Sequence, residues 1–386
     1  MLYLLHHAID RSAKSCPDKA AFSYQGEELS YLNLVRRANG LAFELADGGV
    51  LPGDRVGLLL PKCLEMPVGV YGCLKAGAVL VPLDTQSPID RLVRIILDAE
   101  IHHLIVSPDQ ANLVSKLCKE KELDLRLIIG LELDLKIPLR VRAWCELTPT
   151  DRTPAIQQVE DDPAYMLYTS GSTGEPKGIL HSHRSGLAYA RLSAMTYDVT
   201  REDRLGNFAP LHFDQSTFDF YTGPLCGATT VLIPQFFGIA TASLVELIET
   251  ERLSIWYSVP AVLIQLVLRD VLQDKDLSNL RWILFGGEPF PPKHLQKLMA
   301  LIPHATFSNV YGPTEVNQCT YFNIQGGETI QDSLPIGRVW ENTEGLVVDE
   351  NDETVPSGKT GELLIRSPTM MLGYWRRPEL NKRALY

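Results

Sequence analysis

Short apolar runs alternate with helix-like periodicity along most of the chain. Residues 55–60 (RVGLLL) read as a buried strand, and a helix-like stretch follows to Ala76. Residues 79–81 make a second apolar run. Over 88–100, Leu92, Ile95, Ile96 and Ala99 recur at the spacing of one helical face. Residues 103–106 and 127–129 predict further strands. Such alternation means a mostly parallel sheet with helices on its faces. The polar, proline-bearing stretch 148–162 (TPTDRTPAIQQVEDD) reads as a linker. The rhythm then resumes, with strands expected over 165–168, 230–233, 255–258, 282–285 and 306–310. Helix-like runs lie between them, as at 244–251 and 262–269. Beyond Ile324 the texture changes, and 346–367 reads as a hairpin of two apolar strands around a charged, turn-rich connection. The expected architecture is therefore α/β: two stacked, doubly wound, mostly parallel sheets with helices between and outside, plus a small C-terminal β-barrel-like unit. The matching division is 1–160, 161–324 and 325–386.

Charge narrows the functional classes. Lys and Arg number 36 against 47 Asp and Glu, a formal net charge of −11 over 386 residues. A broad nucleic-acid-binding surface, which needs clustered cations to displace counterions, is disfavoured. The seven cysteines are scattered, odd in number and without a CxxC pair. Neither a disulfide framework nor a zinc site is suggested, and a reducing, cytoplasmic setting is expected. The N-terminus lacks the basic leader and apolar core of a secretory signal. Residues 220–245 carry no charge, but Pro224, Pro234 and three glycines make them read as turn, strand, turn. No membrane span is expected.

The strongest chemical signal is YTSGSTGEPKG, residues 168–178. A buried strand runs into a loop of Thr, Ser and Gly, then a lysine. Glycines let successive backbone N–H groups converge on one concavity, and hydroxyls add donors, which suits phosphate. The spacing is not that of a Walker loop. In NVYGPTE, residues 309–315, Tyr311 offers a ring to a purine, and Thr314 and Glu315 offer oxygen to a hard cation such as Mg2+. A core tyrosine and a solvated turn carboxylate are the competing readings there.

These strings resemble the ordered motifs of the adenylate-forming enzymes: acyl-CoA synthetases, luciferases and the adenylation domains of nonribosomal peptide synthetases. LKAGAVLVPLD (74–84), PIGR (335–338) and GELLIRSPTMMLGYW (361–375) are similar to further motifs of that family, in the required order. The resemblance implies ATP and Mg2+ as cofactors. It implies phosphate contacts from Thr169, Ser170, Gly171, Ser172, Thr173, Gly174 and Lys177. It places Asn309, Tyr311, Gly312 and Thr314 with Gly286, Gly287 and Glu288 around the adenosine, and Glu315 on the metal. Lys177, Thr173 and Glu315 are the expected catalytic residues.

Within the family, FDQS at 213–216 resembles the element of amino-acid-activating members whose Asp holds the substrate's α-ammonium group. A buried carboxylate needs a cation, and an amino acid brings one. A helix-capping role for Asp214 is the competing reading. Carried over by resemblance, the pocket comprises Asp214, Gln215, Phe218, Ser258, Leu284, Gly286, Val310, Gln318 and Cys319, with His212 as a packed gate. Asp214 is the one charged member, and Phe218 and Leu284 fill volume, so a small neutral amino acid (glycine, alanine or proline) is expected.

The implied reaction is adenylation with release of pyrophosphate, then transfer to the phosphopantetheine thiol of a separate carrier protein. An acyl- or aryl-CoA synthetase, and a catalytically lapsed nucleotide-binding protein, are the alternatives. The family's Thr-Gly-Asp turn, hinge and small C-terminal lobe do not follow the Gly-Tyr segment in this sequence, so slow adenylation is expected from these residues alone.

Overall fold

Strands rich in Val, Leu and Ile that are buried on both faces must sit inside a layered structure. The computed structural model places them so, and it describes residues 2–132, 139–170, 175–330 and 333–385. One sheet has eight strands in the order Gly373–Tyr374, Pro176–Ser182, Pro163–Ser170, Val79–Pro82, Arg55–Leu59, His103–Val106, Leu127–Ile129 and Arg140–Arg142. Its core is parallel, and Pro176–Ser182 pairs antiparallel with both of its neighbours. The other has nine, in the order Arg338–Val339, Thr320–Gln325, Thr306–Tyr311, Trp282–Gly286, Ile255–Ser258, Arg204–Asn207, Thr229–Leu232, Ala20–Tyr24 and Glu27–Ser30.

Helices Tyr31–Asp47 and Glu65–Lys75 lie between the sheets. Leu34, Ala38, Leu41, Val68 and Tyr71 share one buried cluster with Val56, Leu58 and Leu80 of the first sheet and Phe22 and Leu232 of the second. Separate clusters cover the outer faces: Leu92, Ile95 and Ile96 on the first sheet, and Leu244, Leu263, Leu295 and Met299 on the second. The layering is therefore αβαβα, as expected. The small C-terminal unit is a two-stranded antiparallel sheet, Glu344–Val348 with Glu362–Arg366. Among the described residues no helix is long and apolar enough to cross a membrane.

Sheet membership does not follow a cut at residue 160. Ala20–Tyr24 and Glu27–Ser30 belong to the sheet otherwise built from residues 204–339, and Pro163–Ser170 and Pro176–Ser182 belong to the other. The segment 148–162 is also no free linker. Asn39 Nδ2 donates to the Thr150 carbonyl (3.0 Å), Thr150 N donates to the Arg36 carbonyl (3.1 Å), and Arg36 pairs with Asp151. Polar composition predicts a linker, whereas the helix beside it supplies partners for its backbone.

The return strand Pro176–Ser182 feeds helix His183–Thr196 through a reciprocal cap. Ser182 Oγ accepts from Ser185 N, and Ser185 Oγ accepts from Ser182 N, both at 3.1 Å. Two buried histidines flank this cap. His181 stacks on Tyr165 at 4.8 Å, and His183 Nδ1 accepts from Leu5 N at 3.2 Å. An imidazolium, protonated on both nitrogens, could not accept there. Burial pushes both residues down to about 4. Their folded pKa lies below the unfolded value, so the unfolded chain takes up protons first as pH falls. Stability is fully present above about pH 6.5 and is lost toward pH 4. We expect the urea midpoint to drop between pH 7 and 5, with about 2 kcal/mol lost per histidine. The drop should be shallower in His183→Gln, and a midpoint constant over that range would contradict this.

Candidate functional site

Strand Pro163–Ser170 and its return Pro176–Ser182 place Thr169 directly across from Lys177. Gly171, Ser172, Thr173 and Gly174 lie outside the described residues, as does the side chain of Ser170. Thr169 Oγ1 is buried and has no partner among the described residues, so it can take a hydrogen bond at the mouth of the loop. Lys177 reaches away from the strand to Glu315 Oε1 (3.2 Å) and lies 4.4 Å from the centre of the Tyr374 ring. The Tyr374 hydroxyl donates to the same Glu315 oxygen at 2.6 Å. Lys177 remains above its ordinary pKa despite partial burial, because Tyr374 and Glu315 favour its charge. Glu315 is lowered against burial by the same two partners. Sequence reading assigned Tyr374 no role, although it falls inside the Gly-Tyr-Trp string.

The turn carrying Glu315 is tied from several directions. His181 Nε2 meets the Thr314 carbonyl at 2.9 Å, Met371 N donates to the Glu315 carbonyl at 2.7 Å, and Thr369 Oγ1 donates to the Val316 carbonyl at 2.8 Å. Gly312 sits where a Cβ would lie 2.6 Å from Gln318 Cα and 2.7 Å from the Asn317 carbonyl oxygen, so the turn closes only without a side chain. Tyr311, at the end of strand Thr306–Tyr311, is 43% exposed and presents its ring to solvent. Among the described residues no group of three or more His, Cys, Asp or Glu could hold a metal by protein ligands alone. A single carboxylate such as Glu315 does fit Mg2+, which commonly takes one or two carboxylates and leaves the rest of its shell to phosphates and water.

The turn also orients Asp214. Thr314 Oγ1 donates to Asp214 Oδ2 at 2.8 Å. Asp214 is half-buried and its pKa is pushed up to about 6, chiefly by desolvation, against the pull of the Thr314 hydroxyl and the Gln215 backbone N–H. The helical turn that follows has Thr217, not Asp214, at its N-cap, with no side-chain cap hydrogen bond. Gln215 Nε2 donates to the Gly286 carbonyl at 3.3 Å. Phe218, Tyr257, Leu284 and Val310 belong to one buried cluster behind these polar groups. A Cβ on Gly286 would lie 2.3 Å from the Val310 carbonyl oxygen, so strands Trp282–Gly286 and Thr306–Tyr311 approach closely there.

The structure corrects several placements. Ser258 is in register with Phe285, whereas Tyr257 is in register with Leu284. Neighbours along a strand point to opposite faces, so Tyr257, not Ser258, shares the face of Leu284, Gly286 and Val310. The Glu288 side chain serves the start of helix Pro260–Leu268, where Oε1 accepts from Ala261 N at 2.8 Å. Asn309 Nδ2 donates to the Pro335 carbonyl at 2.8 Å, holding the PIGR segment to the strand. Gln318 Nε2 donates to the Tyr197 hydroxyl at 2.9 Å and its Oε1 has no partner among the described residues. Cys319 borders a cavity of about 560 Å³ shared with Tyr311, Glu315, Met371 and the C-terminal hairpin, and burial pushes its thiol up to about 11. His212 packs at 4.6 Å from the exposed Phe213 ring and is lowered by burial. Gly287 is left-handed (φ 92°) just after the strand.

Comparison with known proteins gives the family and agrees with the fold. The family model for AMP-binding enzyme matches residues 9–375. An L-proline--[L-prolyl-carrier protein] ligase of Pseudomonas fluorescens is 33% identical over 382 residues, covering 97% of this chain and 74% of the relative. The ligase of the same name from Streptomyces coelicolor is 32% identical over 360 residues, covering 92% and 68%. A crystal structure of a variant of the nonribosomal peptide synthetase FmoA3, in its alpha-methyl-L-serine-AMP bound form, superposes with a TM-score of 0.85 at 30% identity, covering 98% of this chain and 41% of that one. With both sheets in place, this chain belongs to the AMP-binding enzyme family, among the amino-acid adenylation domains and carrier-protein ligases.

Proposed function

We propose that this chain adenylates a small neutral amino acid, L-proline first among glycine, alanine and proline, for transfer to the phosphopantetheine thiol of a carrier protein. The observation that carries the reading is Asp214: a half-buried carboxylate, aimed by the Thr314 hydroxyl, in front of an apolar wall of Phe218, Tyr257, Leu284 and Val310. A substrate ammonium supplies the cation that such a carboxylate needs, and a fatty or aryl acid does not. The wall is bulky and uncharged, which favours a compact side chain. Two relatives named as L-proline ligases support proline within that class.

In the reaction a substrate carboxylate oxygen bonds to the α-phosphorus of ATP, the bond from that phosphorus to the bridging oxygen breaks, and pyrophosphate leaves. The protein supplies no nucleophile, so its residues align the two substrates and offset phosphate charge. Asp214 fixes the amino end, so the carboxylate points toward the Thr314–Glu315 turn. Lys177 and Thr169 line the path of the phosphates. Tyr311 offers its exposed ring to the adenine. Glu315 would hold Mg2+, which would supply positive charge to offset that of the phosphates. A cytoplasmic setting belongs to the same reading, since the reaction consumes ATP.

Calorimetry with non-hydrolysable adenylate analogues tests this directly. Prolyl-sulfamoyl-adenosine should bind far more tightly than AMP, and the phenylalanyl analogue more weakly than the prolyl one. An analogue lacking the amino group that binds best would overturn the reading in favour of an acyl or aryl acid. Asp214→Asn should cost the prolyl analogue about 10- to 100-fold in affinity, the range of a lost charge-assisted hydrogen bond, with AMP affinity unchanged. Separately, Glu315→Gln should raise the Mg2+ concentration needed for half-maximal ATP binding about tenfold or more. Equal Mg2+ requirements in the two proteins would remove Glu315 from the metal site.

A further inference from the structure

The sequence motifs leave unexplained a buried charge on the far side of the pocket wall. Lys62 follows strand Arg55–Leu59 of the first sheet and is only 7% exposed. Its ammonium reaches the end of strand Arg204–Asn207 in the second sheet. It donates to the Ala209 carbonyl (2.6 Å), to the Asn207 carbonyl (3.2 Å) and to Asn207 Oδ1, so all three of its N–H donors are used. The Asn207 amide passes the interaction on, with Nδ2 donating to Asp219 Oδ2 at 2.7 Å. Asp219 is 2% exposed, and its other oxygen has no partner among the described residues. Burial alone drives Lys62 down and Asp219 up, and their mutual attraction opposes both shifts.

We propose that Lys62 is a positioning residue for the amino-acid pocket: through Ala209 at one end and Asn207–Asp219 at the other, its ammonium clamps both ends of segment 209–219, which carries His212, Asp214, Gln215 and Phe218. The inference rests on the amino-acid reading above and adds to it a residue from the opposite sheet. Two observations make the clamp more than a local staple. First, Asp219 lies within a π-helical turn, Phe218–Thr222, a rare conformation that recurs at functional sites. Thr230 Oγ1 donates to the Asp219 carbonyl at 2.8 Å and Ser193 Oγ meets Thr222 Oγ1 at 2.7 Å, so the turn is held on its other side as well. Phe218, next in sequence to the clamped Asp219, meets Tyr257 edge-on at 6.0 Å in the pocket wall. A slip at Asp219 therefore turns Phe218. Second, the other clamped atom, the Ala209 carbonyl, opens the loop that leads to Asp214. A buried charge is costly relative to an apolar residue of the same size, so an apolar clamp would stabilise the fold as well or better. What the ammonium supplies and a methyl cannot is direction: three donors fixed on three oxygens.

The test compares wild type, Lys62→Met and Lys62→Arg. Prolyl-sulfamoyl-adenosine and AMP are each titrated by calorimetry, and hydrogen exchange is followed over residues 209–219. In Lys62→Met the prolyl analogue should weaken about tenfold or more while AMP changes by less than about twofold, the split expected when positioning rather than folding is lost. Exchange in 209–219 should rise selectively, and Lys62→Arg, which keeps the donors, should recover much of the affinity. If Lys62→Met does not fold, Asp219→Asn keeps the shape, removes the charge at the far end, and should give the same split more weakly. Folded variants that bind both ligands as wild type does, or lose both equally, would overturn the clamp. A wild type that does not prefer the prolyl analogue over AMP would instead overturn the amino-acid reading, and exchange over 209–219 would still decide the clamp.

Discussion

The turn from Gly312 to Val316 is the joint on which the site depends. Its backbone carbonyls are taken by His181 and Thr369 side chains and by the Met371 amide, and its side chains by Asp214, Lys177 and Tyr374. Those partners come from strand Pro176–Ser182 of the first sheet, from the segment before the π-helical turn of the second, and from the chain just before its final helix. No one of these bonds is strong, since a typical net hydrogen bond is worth about 1 kcal/mol. Their effect is geometric. They hold the side chains of Lys177, Glu315 and Asp214 at fixed separations around one turn, the kind of alignment that a reaction without a protein nucleophile needs.

Charge at this joint is arranged in two layers. Lys177 and Glu315 meet on one side of the turn and stabilise each other's ionised forms. Asp214 lies behind them with its carboxylate destabilised by desolvation and by the neighbouring Glu315 charge. A carboxylate in that condition gains most from a cationic ligand, because the ligand relieves a cost that the fold has already incurred. Burial also disfavours charge on the histidine that braces the turn: desolvation lowers His181 against the opposing pull of the Thr314 carbonyl and the Glu315 carboxylate.

The pocket draws its parts from both sheets, although its strings are nearly all read from the second. Tyr71, on a helix between the sheets, donates to the Phe220 carbonyl, and Lys62 reaches Asn207 and Ala209. The segment carrying Asp214 and Phe218 is thus held by residues that lie far earlier in the chain. Exchange of strands between the sheets has the same consequence, since Pro163–Ser170 and Pro176–Ser182 bring Lys177 out of the first sheet to meet Glu315 from the second. The two sheets form one working unit.

What the sequence determined by itself was the layered α/β class, the strands whose apolar runs are buried on both faces, and the residue types that cluster at the site. Local pattern suffices there, because burial on both faces demands continuous Val, Leu and Ile, and because phosphate, metal and ammonium each call for recognisable groups. Tertiary structure decided which sheet each strand joins, since Ala20–Tyr24 finds its partner Thr229–Leu232 only across the fold. It decided that Tyr257 and not Ser258 faces the pocket, because a shift of one residue in register exchanges the two faces of a strand. It turned Glu288 toward a helix start and Asn309 toward Pro335, uses that depend on which backbone groups lie alongside. And it gave Lys62 and Tyr374 their partners, because a lone lysine or tyrosine in sequence carries no mark of the distant oxygens that it will hold.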